Sequence, residues 1–254
     1  MVGQDERAPF AGALERARSA AYPAGQYVGQ ESFVLADEVR RLAGSAGIGP
    51  GTAVLDLCCG VAGPGRLIAA ETGCGYLGVD RSAAALRIAR RLAGDLPCRF
   101  VQGDVPPLPD GRFDVVLLLE TLLAFPDKAA LLHAVAGALA PGGRFACTVE
   151  EGRPLDAVER RRMADADTVW PVELPRLAAL LDAAGLAVTW QEECTAAHHG
   201  TAAALLGAYR AEEAGIAARV GPRAAAELVA AHELWVTWLG TGRVRKFALV
   251  AEKR

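Results

Sequence analysis

Short apolar runs that end in a carboxylate or glycine alternate with longer segments of helical period over most of the chain. Ala53–Leu57 leads into glycines, the pattern of a buried parallel strand. Pro64 suits the first turn of a helix, which the spacing continues over Gly65–Thr72. Tyr76–Val79 predicts a second strand, and Ser82 is placed to cap a helix over Ala83–Ala93. Cys98–Gln102 and Phe113–Leu119 predict strands three and four. A helix over Asp127–Leu139 is expected to stop at Pro141-Gly142-Gly143, before strand five over Gly143–Val149. A helix over Pro175–Ala184, closed by Gly185, and strand six over Leu186–Gln191 follow. Alternation of this kind builds a parallel sheet with helices on both faces.

The two ends break the rhythm. A first helix is predicted over Pro9–Ala20, then a loop rich in Gly, Pro and aromatic residues, then a helix over Phe33–Ala43. Between strand six and a final strand, Val244–Ala251, lie two helical segments near Ala197–Ala218 and Pro222–Leu239. In the second, Leu228, His232, Trp235 and Leu239 share one helix face, the pattern of a lid or cap. The expected organisation is a helical and loop cover over residues 1–47, a core over 48–194, a helical insertion over 195–242 that forms a lid, and a last core strand over 243–254. The fold class is α/β, a doubly wound, mostly parallel, seven-stranded sheet.

Composition narrows the classes. Hydrophobic residues make up 52% and charged residues 22%, enough apolar surface for a large core and too much for disorder. The net charge of −3 comes with no basic stripe, because Arg160-Arg161-Arg162 are flanked by Glu159, Asp165 and Asp167. That disfavours nucleic acid, whose phosphates need a basic surface. The first ten residues are charged where a signal peptide is apolar, and Phe113–Phe125 is too short to span a bilayer, so a cytoplasmic protein is expected. The six cysteines form no C-x-x-C pair and have no histidine at zinc-finger spacing. They read as small buried hydrophobes in a reducing compartment, with no metal expected, even at the adjacent Cys58-Cys59.

The chemistry sits at the strand ends. Asp56 closes strand one and enters Gly60-x-x-Gly63-x-Gly65 before a helix, where backbone amides are open to a ligand. Strand two ends in Asp80, 24 residues after Asp56, placed to accept two ribose hydroxyls. Gly103-Asp104-Val105 follows strand three, FDVVLLLE ends strand four at Glu120, and PGGRF precedes strand five. In an open parallel sheet such a rim of acids faces one crevice, at the point where strand order reverses.

This ordered set, over roughly Phe33 to Gln191, resembles the class I S-adenosylmethionine-dependent methyltransferases of the small-molecule type, with their Rossmann-like fold. A nicotinamide-binding loop instead needs G-x-G-x-x-G, which the spacing here does not supply. The resemblance implies S-adenosylmethionine as cofactor and S-adenosylhomocysteine as product. It implies that Asp56 with Gly60, Gly63 and Gly65 holds the methionine moiety, and that Asp80, beside Arg81, holds the ribose. It places Asp104 and Val105 at the adenine, and Leu119 and Glu120 beside the reactive methyl. The wider first interval of the loop, Val61-Ala62, departs from the family's commonest G-x-G-x-G.

By likeness to small-molecule members, the loop carrying Tyr22, Tyr27 and Gln30 covers the cofactor. An aromatic ring against a sulfonium contributes about 0.5–2 kcal/mol. The alternative for both tyrosines is packing against the next helix. Glu120 breaks an apolar run, so it is either an acceptor-side carboxylate or a structural hydrogen-bond anchor. His198 and His199 are base candidates or a polar helix start, and His232 reads as a satisfied, half-buried histidine. Glu150, Trp170 and Trp235, with Trp238, are candidates for an acceptor pocket.

The expected activity is in-line methyl transfer to a small-molecule acceptor, by a monomer or homodimer acting on neither nucleic acid nor membrane. An amine suits carboxylates and rings, whereas a phenol or carbon acid suits a histidine base, and the sequence leaves these open. The alternatives are a cofactor-binding protein that transfers no methyl and, less favoured, an RNA methyltransferase.

Overall fold

The computed structural model describes residues 12–163 and 166–254. Residues 9–11 of the expected first helix lie outside the described residues. The described part is α1 (Ala13–Ala21), and α2 (Ala36–Ser45) follows the aromatic loop. The core runs β1 (Ala53–Leu57), α3 (Gly63–Thr72), β2 (Gly75–Asp80), α4 (Ala83–Ala93), β3 (Cys98–Gln102) and β4 (Phe113–Leu118). It continues through α5 (Lys128–Ala138), β5 (Leu139–Glu151), α6 (Ala157–Arg162), α7 (Leu174–Ala183) and β6 (Leu186–Glu193). The insertion is α8 (Thr195–Ala211), α9 (Glu213–Val220) and α10 (Pro222–Thr241), and β7 (Arg245–Lys253) closes the chain.

The seven strands form one sheet in the order β3-β2-β1-β4-β5-β7-β6. Every pair from β3 to β5 is parallel, while β7 runs antiparallel between β5 and β6. The chain winds outward through β1, β2 and β3, then returns to β4 on the other side of β1. Strand order therefore reverses between β1 and β4, the place where such sheets open a crevice. Both faces of the sheet are buried, one under α5 and α7 around Leu57, Leu118, Leu131 and Phe145, the other under α2, α3 and α4 around Val54, Leu86, Leu117 and Val250.

Two boundaries differ from expectation for local reasons. Pro141-Gly142-Gly143 does not break the chain; β5 starts at Leu139 and carries these residues as an irregularity opposite Phe113 and Val115. A Cβ at Gly143 would lie 2.9 Å from the Ala140 carbonyl oxygen, so only glycine passes there. The helix expected from Phe33 begins at Ala36, because the Glu38 carboxylate accepts the Leu35 amide at 2.9 Å and closes the helix start. Phe33 to Leu35 stay outside the helix, with Leu35 extended, which frees Phe33 for the site.

The N-terminal cover and the insertion pack as one cap. Leu14, Tyr22 and Phe33 share a cluster with Leu205, Tyr209, Ile216 and Leu239.

Candidate active site

The turn after β1 is held open by its own backbone. Cys58, Gly60 and Ala62 all have left-handed φ, at 57°, 55° and 56°. Two of them carry side chains there, which costs of the order of 1–3 kcal/mol each, so the surroundings must hold the turn. Cys59 N donates to Val79 O at 3.0 Å and Ala62 N to Cys59 O at 2.8 Å. Asp80 takes the Gly60 amide on Oδ2 and the Ser82 amide on Oδ1, each at 2.8 Å. The acid at the tip of β2 thus fixes the loop and keeps lone pairs for a ligand.

Under the turn, Asp56 is buried and accepts the Tyr76 hydroxyl at 2.5 Å. Burial pushes the Asp56 carboxyl up to about 7; the Tyr76 hydrogen bond pulls it partly back, and the Asp80 charge adds to the rise. Gly65 exists to admit Tyr76, since a Cβ there would lie 2.2 Å from the hydroxyl oxygen and 2.4 Å from the ring. The adjacent thiols are free, and burial pushes Cys58 up to about 12 and Cys59 higher. They are thiols, not thiolates.

Two cavities meet beside this turn. The crevice, about 190 Å³, is lined by Asp56, Gly60, Gly63, Leu119 and Glu120 among others. The chamber, about 410 Å³, lies under α10 and is walled by Phe33, Leu123, Met163, Leu205 and Trp235. Gln30, Glu31, Ser32 and Glu120 line both. Glu120 also has a left-handed φ of 57°, which turns its side chain out of the β4 line at the junction.

A buried charge cluster backs that junction. Lys246 Nζ lies 2.8 Å from Glu120 Oε1 and donates to Glu150 Oε1. His198 Nε2 is 2.9 Å from Glu38 Oε2, and its Nδ1 is 3.8 Å from Glu120 Oε2. Burial opposes ionisation of Glu120, yet the Lys246 ammonium and the His198 imidazole hold its carboxyl down at about 2. Glu38, Cys194 and His198 bring possible metal-ligand atoms within 4.8 Å of one another. Glu38 Oε2 is already spent on the Leu35 amide and His198, and burial pushes the Cys194 thiol up to about 12. The trio is a hydrogen-bonded His198–Glu38 pair with a thiol beside it.

Of the residues singled out by sequence, the structure gathers Asp56, Gly60, Gly63, Leu119, Glu120 and Gln30 around the crevice. Gln30 holds the loop in shape, its side chain accepting from Val28 N and donating to Gln26 O and Val34 O. Arg81 is exposed, and its carbonyl takes Gln102 Nε2. Asp104 is exposed on the β3 rim, while Val105 packs against the core. Tyr22 lines the chamber, not the crevice, and donates to the Ser32 carbonyl. Tyr27 lies outside both cavities, its ring tilted at 43° and 5.2 Å from that of Tyr22, and its hydroxyl donates to Glu15. Glu150 and Trp235 line the chamber. His198 sits behind it, and His199 packs against Gly240. Trp170 lines a separate cleft of about 230 Å³ and carries Arg160 over its ring at 4.1 Å.

Sequence reasoning missed Lys246, Phe33, Arg18, Tyr209 and His232 as chamber residues. Lys246 carried a legible signal, a lysine inside an apolar strand, the same kind that singled out Glu120.

The residues present fit an adenosyl amino acid. A Cβ at Gly60 meets nothing within 4 Å, so that backbone faces open crevice, whereas Gly63 is pressed 2.5 Å (as a Cβ) from the Val28 carbonyl of the cover loop. A buried carboxyl for an ammonium and a strand-tip carboxylate for vicinal hydroxyls flank that opening.

Comparison with known proteins agrees. The methyltransferase domain family matches residues 54–143. The 2-methyl-6-phytyl-1,4-hydroquinone methyltransferase of Synechocystis sp. is 36% identical over 97 residues, 37% of this chain and 30% of that protein. The cyclopropane synthase MmaA2 from Mycobacterium tuberculosis superposes with a TM-score of 0.78 at 13% identity, over 91% of this chain and 90% of that one. The [4+2]-cyclase SpnF does so with a TM-score of 0.75 at 20% identity, over 95% and 91%. At those identities the superpositions establish the fold. The chain spans about a third of the length of the curated relatives it first matches. Residues 54–143 thus match the methyltransferase domain family, set in a seven-stranded sheet whose fold the superposed structures share.

Proposed function

We propose that the protein transfers a methyl group from S-adenosylmethionine, held in the crevice, to a small acceptor held in the chamber. The observation that carries this reading is the shared wall: two cavities joined at Gln30, Glu31, Ser32 and Glu120. In-line transfer needs two bound molecules facing each other through one opening, with water kept out. Asp56 and the Gly60 turn hold the amino-acid end of the cofactor, Asp80 the ribose, and Asp104 with Val105 the adenine. Bound there, the cofactor supplies an electrophilic methyl carbon. Glu120, pinned by Lys246, shapes the opening, and Phe33 with Trp235 gives the chamber a dry aromatic wall.

The net charge of −3 favours a metabolite over a polyanion as acceptor. No helix among the described residues is long and apolar enough to cross a membrane. The six free cysteines suit a reducing, cytoplasmic setting.

Calorimetry with S-adenosylmethionine and S-adenosylhomocysteine tests the first half, and transfer of labelled methyl to metabolite, protein and RNA fractions tests the second. Binding plus label in the metabolite fraction is expected. Asp80→Ala should weaken cofactor binding at least about tenfold, through the lost ribose contacts and the loosened Gly60 amide. Absence of cofactor binding in the wild type overturns the reading. Label only in RNA or protein overturns the acceptor class.

A further inference from the structure

We propose that His232 is the general base of the methyl transfer and that the acceptor presents a phenolic or enolic hydroxyl to it. The proposal rests on the chamber being the acceptor site, and it concerns a histidine that the sequence pattern marks only as part of an apolar helix face.

The titratable groups lining the chamber come from every wall: Arg18 and Tyr22 from α1 and its end, Glu31 from the cover loop, Glu120 and Glu150 from β4 and β5, Tyr209 from α8, His232 from α10 and Lys246 from β7. Nearly all are engaged with one another. Arg18 pairs with Glu31 and donates to the Tyr209 hydroxyl at 3.4 Å. Lys246 pairs with Glu120 and Glu150, and the Tyr22 hydroxyl donates to the Ser32 carbonyl.

His232 differs. Its Nδ1 lies 2.8 Å from the Leu228 carbonyl oxygen, one helical turn back. A carbonyl oxygen only accepts, so Nδ1 carries the proton and the neutral ring keeps its lone pair on Nε2. Among the described residues no hydrogen bond engages Nε2. Edge-on contacts fix the ring plane, with Tyr209 at 4.8 Å and 90° and Phe33 at 5.8 Å and 87°. Burial lowers the pKa of His232 from its ordinary value; the Leu228 bond partly opposes this and the Arg18 charge adds to it, so the ring is neutral at neutral pH. Glu120, held at about 2, is a poor proton acceptor there.

The base and the walls together select the acceptor. An imidazole matches acids that ionise near neutrality, which an aliphatic alcohol does not. A neutral amine attacks without first losing a proton and needs no base at that moment. A flat ring suits the wall of Phe33, Leu123, Met163, Leu205 and Trp235. In the reaction, the hydroxyl oxygen gives an electron pair to the methyl carbon as that carbon's bond to sulfur breaks. The pair of the broken bond stays on sulfur, and the hydroxyl proton passes to His232 Nε2.

The test uses 4-nitrophenol, whose phenolate absorbs visible light, with the full chain free of cofactor. Bound phenolate is expected in the wild type, and His232→Gln should lower it at least about tenfold while calorimetric affinity for S-adenosylmethionine stays unchanged. Should the variant fold poorly, nitrogen-resolved NMR of the wild-type ring decides instead, with a neutral ring protonated on Nδ1 expected at neutral pH. Transfer of labelled methyl to the phenol and not to benzylamine is expected, with a rate lost as pH falls through the His232 pKa. Equal phenolate in wild type and variant, a ring protonated on Nε2, or label on benzylamine instead would overturn the inference. Those results would leave the proposed function standing, whereas a wild type that fails to bind S-adenosylmethionine would overturn that function on a separate readout.

Discussion

Lys246 on β7 and Glu120 at the end of β4 lie 2.8 Å apart, although β5 separates their strands in the sheet. Lys246 bridges that gap because its register partner on β5 is Glu150, with which it also pairs. One ammonium therefore ties together three strand ends at the wall between crevice and chamber. Removing it leaves two buried carboxylates without their cation.

For Lys246→Met we expect a loss of about 3–5 kcal/mol in unfolding free energy, the scale of a broken buried ion pair. Urea denaturation measures it. A loss below about 1 kcal/mol would mean that the carboxylates reach water and that the pairing is a surface one.

The raised Asp56 carboxyl predicts a pH dependence. Burial shifts it from 3.8 to about 7, so the folded state binds this proton more tightly than the unfolded state. Its stabilising contribution is complete below the unfolded pKa and is lost as pH rises through about 7, a change of the order of 4 kcal/mol. Asp56→Asn keeps an oxygen for the Tyr76 hydroxyl and should abolish that fall, seen as a flatter stability profile. Ligand binding should show the opposite slope. A cofactor ammonium favours the ionised carboxylate, so affinity should climb as pH rises to about 7 and then level off. Proton release on calorimetry in two buffers checks this, and affinity independent of pH would remove Asp56 from the cofactor contacts.

The three glycines of the turn should fail in different ways. Gly65→Ala drives a Cβ to 2.2 Å from the buried Tyr76 hydroxyl oxygen and 2.4 Å from its ring, which pushes Tyr76 off Asp56. We expect a loss of about 1–3 kcal/mol in stability together with weaker cofactor binding. Gly60→Ala meets no atom within 4 Å, and Ala62 already tolerates a side chain at φ 56° in the same turn. Its stability cost should be about 1 kcal/mol, while its methyl enters the crevice and weakens binding. Gly63→Ala should displace the cover loop, since the new Cβ would sit 2.5 Å from the Val28 carbonyl oxygen. Thermal melts with and without cofactor separate the three. Equal losses of stability at Gly60 and Gly65 would contradict the assignment.

Sequence and structure agree most closely where the signal is local. Ala53–Leu57 and Cys98–Gln102 form strands over the expected residues; the first is a short run with four of five residues buried, which has few other ways to be buried, whereas the second buries only Phe100. Ser82 caps α4 as expected, accepting the Ala85 amide. Asp80 closes β2 as expected, while Asp56 lies one residue inside the end of β1, and Asp104 and Glu120 lie two residues past β3 and β4. The chamber was not, because it is assembled from Phe33, Glu150, His232 and Lys246, which are close only once the cap folds over the sheet. His232 shares an apolar face with Trp235, and periodicity alone does not distinguish a cavity wall from a packed core. Trp170 shows the converse: an aromatic residue after β5 that resembles a pocket residue in sequence and is turned to another cleft in space.

That contrast between tryptophans gives a direct test of where the acceptor binds. Trp235 lines the chamber and packs edge-on against Phe33 at 6.0 Å and Trp238 at 5.4 Å. Trp170 lies with Pro126, Lys128 and Arg176 in its own cleft, tied by its indole nitrogen to the Asp167 carbonyl. Trp235→Leu removes part of the chamber wall while leaving the crevice residues untouched, so KM for the acceptor should rise about tenfold, a loss of about 1.4 kcal/mol. Cofactor affinity should not change. Trp170→Leu should alter neither KM nor kcat. Steady-state kinetics on the acceptor, with calorimetry for the cofactor, compares the two variants. A rise in KM for Trp170→Leu alone would move the acceptor out of the chamber, away from Glu120 and His232, and into the cleft under Pro171.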